Sequence, residues 1–313
     1  MQKAAKRKRT LRGYFSSKRG KDLIFCLLIL AIPVIQFSIF YIGVNFKSVL
    51  MAFQSYEIDP VTERGVYSFN NFANFKTIWV ELTEDDVFMR AFWNSLIIFC
   101  VNVFVGITLS LVFSLYIYKK RKGYKIFKVL LFLPSVLSSI VTVTMFRFFV
   151  EGGAPAVIES LNGEGMLSNP DLRFGTLIFF NIWIGFGTQM LMYSGAMNGI
   201  DTDIIEAAKL DGVTPFREFI HIILPLIYPT ISTFLIVNVA GMFTNQFCLY
   251  SFFANDADPS VQTVGYYLFR GVNVSTLAEY PVLATYGVIL TLITLPLTLL
   301  TRFLLEKFGP SQE

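Results

Sequence analysis

Two groups of residues in this chain have types and spacings that suit a task. The first is Glu206-Ala207-Ala208, followed by Asp211-Gly212 and then Leu224-Pro225, in a polar stretch, 200–225, between two long apolar segments. Three residues separate the E-A-A triplet from Gly212, and nine more lead to Ile222-x-Leu224-Pro225. Its chemistry is mechanical. Ala207 and Ala208 let a partner surface approach closely, and Glu206 offers a charge that sets register on a basic side chain. The second group is uncharged. Asn181, Gly185 and Thr188 fall at i, i+4 and i+7, on one helical face. Asn238, Asn245 and Gln246 follow in the next apolar segment. Amides offer both donors and acceptors, which suits a polyhydroxylated solute or a neighbouring helix. Groups for covalent catalysis are scarce. The chain has one histidine, His221, and neither an H-E-x-x-H nor a G-x-x-x-x-G-K-[ST] pattern. Cys26, Cys100 and Cys248 lie in apolar runs, spaced for neither a metal nor a disulfide framework. No cofactor is expected.

The polar stretch reads as helix, turn, helix. Asp201 or Asp203 can cap the first helix, and Asp203 with Glu206 has capping-box spacing. Gly212 provides the stop, because glycine accepts a left-handed conformation without penalty. Thr214 then caps a second helix with Pro215 at its first position. Ile220, Ile223 and Leu224 supply its apolar side, and Pro225 and Pro229 bend the chain into the next segment.

The bulk composition sets the context. Of 313 residues, 54% are hydrophobic and 15% charged, with mean hydropathy +0.58. Charged residues make up about a quarter of a soluble domain, so an all-α polytopic membrane protein is expected. Candidate spans of about 20 apolar residues fall at 23–44, 92–118, 126–150, 174–198, 226–254 and 281–304. The first is a retained anchor, too long for a signal peptide and without a small-x-small cleavage site. The longest connection, 45–91, is rich in aromatic residues and predicts a short amphipathic helix at the membrane interface.

Charge sets the orientation. Lys3, Lys6, Arg7, Lys8, Arg9, Arg12, Lys18, Arg19 and Lys21 precede the first span. Lys119, Lys120, Arg121, Lys122, Lys125 and Lys128 lie between the second and third spans, and Arg302 and Lys307 end the sixth. Acidic residues such as Glu57, Asp86, Glu151, Asp171 and Asp258 fall on the alternate loops. The positive-inside rule then puts both termini and the Glu206 loop in the cytoplasm. The basic N-terminus reads as an anchor facing anionic lipid, not as a nucleic-acid site. The expected organisation is a basic segment 1–22, a transmembrane domain 23–307 with the polar loop at 200–225, and a tail 308–313. Arg147, near the outer end of the third span, is expected to snorkel or to pair with Glu151 one turn on. Asn102 has only its location to suggest a polar role.

The polar loop resembles the "EAA" coupling loop of permease subunits of ABC importers. The rest of the chain, roughly 23–307, is similar to the maltose-type sugar permeases. Phe69-Asn70-Asn71-Phe72, Asn94-Ser95-Leu96, Phe132-Leu133-Pro134-Ser135, Phe146-Arg147-Phe148-Phe149 and Asn181-x-Trp183-x-Gly185 resemble that family's motifs in order and spacing. Two features depart from it. Asp201-Thr202-Asp203 stands where the family often has proline, and the first external loop is shorter than the extra domain of the maltose protein. The resemblance implies a heterodimer with a second homologous permease, two ATP-hydrolysing subunits inside, and an extracytoplasmic solute-binding protein, in the plasma or inner membrane of a prokaryote. It implies that Glu206, Ala207, Ala208, Asp211, Gly212, Leu224 and Pro225 couple to the ATPase. It also implies that Asn181, Gly185, Thr188, Asn245 and Gln246 fall where such permeases contact sugar.

Other classes fit less well. A secondary transporter would show paired repeats and buried carboxylates for ion coupling, and none of the six spans has a central Asp or Glu. A membrane enzyme would need a convergent nucleophile, base or metal set. Sugar or oligosaccharide is the expected cargo, with polyols and glycerol phosphate left open.

Overall fold

The computed structural model describes residues 18–59, 63–84 and 86–310. The basic residues before Lys18, Asp85 and the last three residues of the tail lie outside them. Helix α1 runs Lys18–Gln36, passes through a π-helical turn at Phe37–Gly43 and resumes at Val44–Met51. A two-stranded antiparallel hairpin follows, β1 Gln54–Ile58 with β2 Gly65–Phe69, in a register that pairs Tyr56 with Tyr67. The amphipathic helix expected in this connection is α2, Ala73–Glu84. The hairpin itself is an addition the aromatic pattern did not announce. The Phe69–Phe72 motif fastens it: Asn70 Nδ2 donates to Asn74 Oδ1, and Asn74 Nδ2 donates to the carbonyls of Ala52 and Gln54 at 2.9 and 2.8 Å.

The long helices are α3, Asp86–Tyr118, with a π turn at Asn102–Gly106; α4, Tyr124–Val136; α5, Ser139–Val157; and α6, Pro170–Asn198. Two short helices follow, α7 Thr202–Leu210 and α8 Pro215–Leu226. The chain then runs through α9 Tyr228–Gly241, α10 Leu249–Phe253, α11 Val264–Val274 and α12 Tyr280–Phe308. Among the described residues, five helices are long and apolar enough to cross a membrane, or six if α8 and α9, bent by 67°, count as one span.

Two expected spans are broken. The third, 126–150, is interrupted where Leu137 turns extended, three residues past Pro134. Proline cannot donate to the preceding turn, and the helix fails just beyond it. The fifth, 226–254, ends as a helix at Gly241. Beyond it Asn245 Oδ1 accepts from Phe247 N at 2.8 Å, and Phe247 and Cys248 take left-handed conformations. A side chain that satisfies its own backbone offers the chain an alternative to helix, so Asn245 and Gln246 sit in a turn and not on a span.

Among the described residues, the core is built from four apolar clusters between helices, not from one centre. One joins α5, α6 and α10 through Phe146, Phe180 and Phe252. A second seats α2 and α3 against α12 through Ile78, Phe88 and Tyr286. Polar groups lock the loop before α11 to α3: Asn94 Nδ2 donates to the carbonyls of Ser260 and Gln262, and Ser95 Oγ accepts from Val264 N. Large apolar side chains along α1, α4 and α12 face outward, as a lipid-facing surface requires.

Candidate functional site: a helical elbow and an amide-lined cavity

The 200–225 stretch folds as an elbow at one end of the bundle. Asp201 is the N-cap of α7, its side chain accepting from Asp203 N at 3.0 Å. Asp203 therefore lies in the first turn and not at the cap, where its charge still favours the helix dipole. Ile205 and Ala208 turn inward and are buried, while Glu206 and Ala207 face outward. Gly212 ends the helix with φ +72°, a left-handed conformation that glycine takes without steric cost. Asp211 and Gly212 are exposed at the turn. Thr214 takes the N-cap position of α8 with Pro215 after it, but its side chain makes no capping bond; its carbonyl accepts from Glu218 N at 2.9 Å.

The inner face of the elbow differs from expectation in more than one place, and Ala208, expected to meet a partner, is buried there. Ile205, Ile223 and Ile227 join Met197 in a core with Leu111, Leu115 and Tyr118 of α3, whereas Ile220 is exposed. A π turn at Phe219–Ile223 rotates the helix face by inserting a residue, which the 3.6 period does not anticipate. Leu224 and Pro225 are half-buried at the end of α8, just before the bend. His221 is exposed, with Nδ1 3.2 Å from the carbonyl of Arg217. The outer face carries two large apolar side chains beside the turn, Leu210 at 89% and Phe216 at 73% exposed.

The second feature is a cavity of about 280 Å³ between α3, α6, α9 and the turn after Gly241. Asn181, Gly185 and Asn245 line it, together with Asn102, Gln189 and Asn238. Among the described residues, no charged side chain contributes to its wall. Asn181 and Asn238 each spend one amide hydrogen on the carbonyl one turn back, Leu177 at 2.8 Å and Phe234 at 2.9 Å. That leaves each amide a carbonyl oxygen and a second N–H. Gly185 keeps the wall open, since a β-carbon there would meet no atom within 4 Å.

Not every expected residue arrives. Thr188 is exposed and outside the cavity wall. The side chain of Gln246 also lies outside the wall, and its buried Oε1 has no hydrogen-bond partner among the described residues. Side chains form ridges at i±4 along a helix, so 181, 185 and 189 follow one ridge and Gln189 takes the place expected of Thr188. Gln189 was legible by that count, and Ser110 Oγ reaches its Oε1 at 3.4 Å. Asn102 is carried in by the π turn of α3.

Arg147 does not pair with Glu151. Its Nη1 donates to the carbonyl of Phe252 at 3.2 Å. Glu151 instead accepts from the backbone N–H groups of Leu167 and Ser168 and from the Ser168 hydroxyl. Nearby, Arg173 Nη1 meets Asp258 at 3.1 Å. The Ser260 hydroxyl and N–H, with Arg173 beyond them, hold the Asp258 carboxyl below the usual carboxylate range.

Comparison with known proteins agrees with this architecture. The chain is 25% identical over 197 residues to the sn-glycerol-3-phosphate transport system permease protein of Yersinia pseudotuberculosis, covering 61% of this chain and 66% of that one. The match thus spans just under two thirds of that relative's length. It is 28% identical over 219 residues to the lactose transport system permease protein of Rhizobium radiobacter, covering 67% and 72%. Its fold matches a chain of a bacterial ABC transporter involved in the import of the acidic polysaccharide alginate. There the TM-score is 0.74 at 19% identity, over 93% of this chain and 99% of that one. Residues 102–312, from the π turn of α3 onward, match the family described as "Binding-protein-dependent transport system inner membrane component". With that match over most of its length, the chain belongs to the family of binding-protein-dependent transport system inner membrane components.

Proposed function

We propose that this multi-pass inner-membrane chain is one of two permease subunits of an ATP-driven importer, and that it passes sugar or oligosaccharide inward by alternating access. The observation that carries this reading is the pairing of a helical elbow at one end of the bundle with an uncharged, amide-lined cavity between the helices. The elbow is the ATPase-coupling element. Leu210 and Phe216 flank its turn and Glu206 and Ala207 lie on its outer face, ready for a cleft on a separate ATP-hydrolysing subunit. Asp211 and Gly212 set the turn, and Leu224 and Pro225 pass motion to the bend before α9. Positive-inside counting places this end and both termini in the cytoplasm of a prokaryote, with the transmembrane domain at 23–307.

The cavity is the sugar passage. Asn181, Gly185 and Asn245 form its wall, with Gln189, Asn102 and Asn238. Amides exchange hydrogen bonds with hydroxyls in either sense, and an anionic solute would find no cation in this wall. The lactose of one relative agrees with an uncharged, hydroxyl-rich cargo, whereas the glycerol phosphate of the other and the alginate of the structural neighbour are hydroxyl-rich anions. A second homologous permease, two ATPase subunits and an extracytoplasmic solute-binding protein complete the machine. The test is purification from native membranes in mild detergent with identification of the associated chains by mass spectrometry. A second permease and an ATPase are expected. A monomer or homodimer that moves solute without ATP overturns the reading.

A further inference from the structure

Glu218 is a carboxylate at 3% exposure on the inner side of the elbow. A charge taken out of water persists only with a partner. That partner is the ammonium of Lys119, at the end of α3. The sequence counts Lys119 among the solvated basic residues after the second span, yet its side chain is itself largely covered. The pair therefore ties the elbow to α3.

What α3 does elsewhere gives the tie its meaning. The same helix carries Asn102 and Gly106 into the cavity wall. Between the two ends, Ser114 Oγ donates to the carbonyl of Met190 on α6 at 2.8 Å, so α3 and α6 stay in register along their shared face. Ile205, Ile223 and Ile227 also touch α3, but apolar contact is non-directional. A buried ion pair fixes the register between the surfaces it joins.

We propose that Lys119–Glu218 is the strut by which movement of the elbow reaches α3 and hence the cavity wall, making both side chains positioning residues of the transport cycle. This rests on the coupling reading of the elbow. A transmitting pair differs from a merely stabilising one in what its loss does: the response to nucleotide goes while the complex still assembles. Glu218→Lys sets two cations against each other, and adding Lys119→Glu restores one pair in the opposite sense. Double-mutant cycles isolate that pairwise part.

The experiment uses the assembled complex in nanodiscs and a reporter already in the chain. Cys248 lines the cavity. In a Cys26→Ser, Cys100→Ser background its labelling rate with a maleimide is compared without nucleotide and with ATP plus vanadate. A nucleotide-dependent change of about fivefold or more is expected, the low end of coupling between linked sites. Glu218→Lys and the milder Glu218→Gln are expected to lose that change while the ATPase still co-purifies, and the double reversal to regain it. Single variants that keep the full change, or a double reversal that assembles without regaining it, overturn the strut alone. A parent complex that shows no nucleotide response overturns the coupling reading, and the strut falls with it.

Discussion

Gly265, at the start of α11, presses against the carbonyl of Asn245 so closely that a β-carbon there would lie 2.5 Å from both its carbon and its oxygen. Thr244 O would stand 2.7 Å away. These neighbours are backbone and cannot swing aside as a flexible side chain would. The contact holds the turn after Gly241 in place, and with it the Asn245 wall of the cavity. Gly265→Ala is expected to cost about 1–3 kcal/mol, the usual range for overpacking. Melting of the purified complex should fall by several degrees, and unchanged melting would mean that the turn is free to move away from α11.

Gly185 is the opposite case. A side chain added there meets open space, and alanine is a better helix former than glycine by about 1 kcal/mol. Gly185→Leu is therefore expected to assemble normally and keep ATP hydrolysis, while its isobutyl group fills part of the 280 Å³ cavity and stops uptake. Uptake at the parental rate in proteoliposomes would remove the cavity from the pathway.

Asn181 and Gln246 separate a wall residue from its neighbour. Asn181→Ala removes an amide from the cavity, and one hydrogen bond is worth about 1 kcal/mol, or roughly fivefold in apparent affinity. Gln246→Ala is expected to change apparent affinity less, because Gln246 does not line the cavity. Uptake kinetics of the two variants, side by side, decide the order. If Gln246→Ala is the more damaging, the passage runs behind the turn and not through the cavity.

Much of this arrangement is legible in the sequence, and the parts that are not share a cause. Gly212, Pro215 and the Asp201 cap are local signals, and each appears where local rules put it. The amphipathic helix α2 and the long apolar helix α12 follow from periodicity and hydropathy. The π turns at Asn102–Gly106 and Phe219–Ile223 shift the helix face by one residue, and no 3.6-residue count predicts them. They bring Asn102 into the cavity and turn Ile220 away from the core. The break after Gly241 depends on α11 packing against it from about twenty residues downstream, a tertiary effect that a window of hydropathy cannot contain. Lys119 and Glu218 lie 99 residues apart in sequence, and nothing local marks either as a partner of the other.

Asp258 makes a prediction in pH. Its carboxyl is held below its ordinary value by Ser260 and Arg173. A carboxylate with a depressed folded pKa contributes stability above its unfolded pKa of about 4 and loses it as pH falls through the lower, folded value. The group is half-exposed, so its contribution is at most about 1 kcal/mol after solvent screening. Asp258→Asn should lower melting slightly at pH 7, with the difference from the parent chain narrowing as pH drops below about 4. A difference that stays constant into acid would assign the effect to the Ser260 contact in either protonation state.

Leu210 and Phe216 supply the sharpest test of the elbow. An apolar side chain left in water without a partner forgoes about 1.5–3 kcal/mol of burial, and two such residues flank one turn here. Truncating them removes little from this chain's own packing, so Leu210→Ser with Phe216→Ser should leave expression and melting of the permease itself within about 0.5 kcal/mol of the parent, as for surface substitutions. Binding is where the loss should appear, because a large apolar anchor entering a partner's pocket is worth about 2 kcal/mol or more. Co-purification of the ATPase is then expected to weaken by tenfold or more, at about 1.4 kcal/mol per decade, with transport-coupled ATP hydrolysis falling alongside it. Glu206→Lys should act through register, impairing coupled hydrolysis at ATPase occupancy restored by excess subunit. If the double serine variant retains its ATPase and its coupled turnover, the exposed apolar pair is not the seat of that subunit, and the elbow's partner face must be sought on the α7 surface of Glu206 and Ala207 alone.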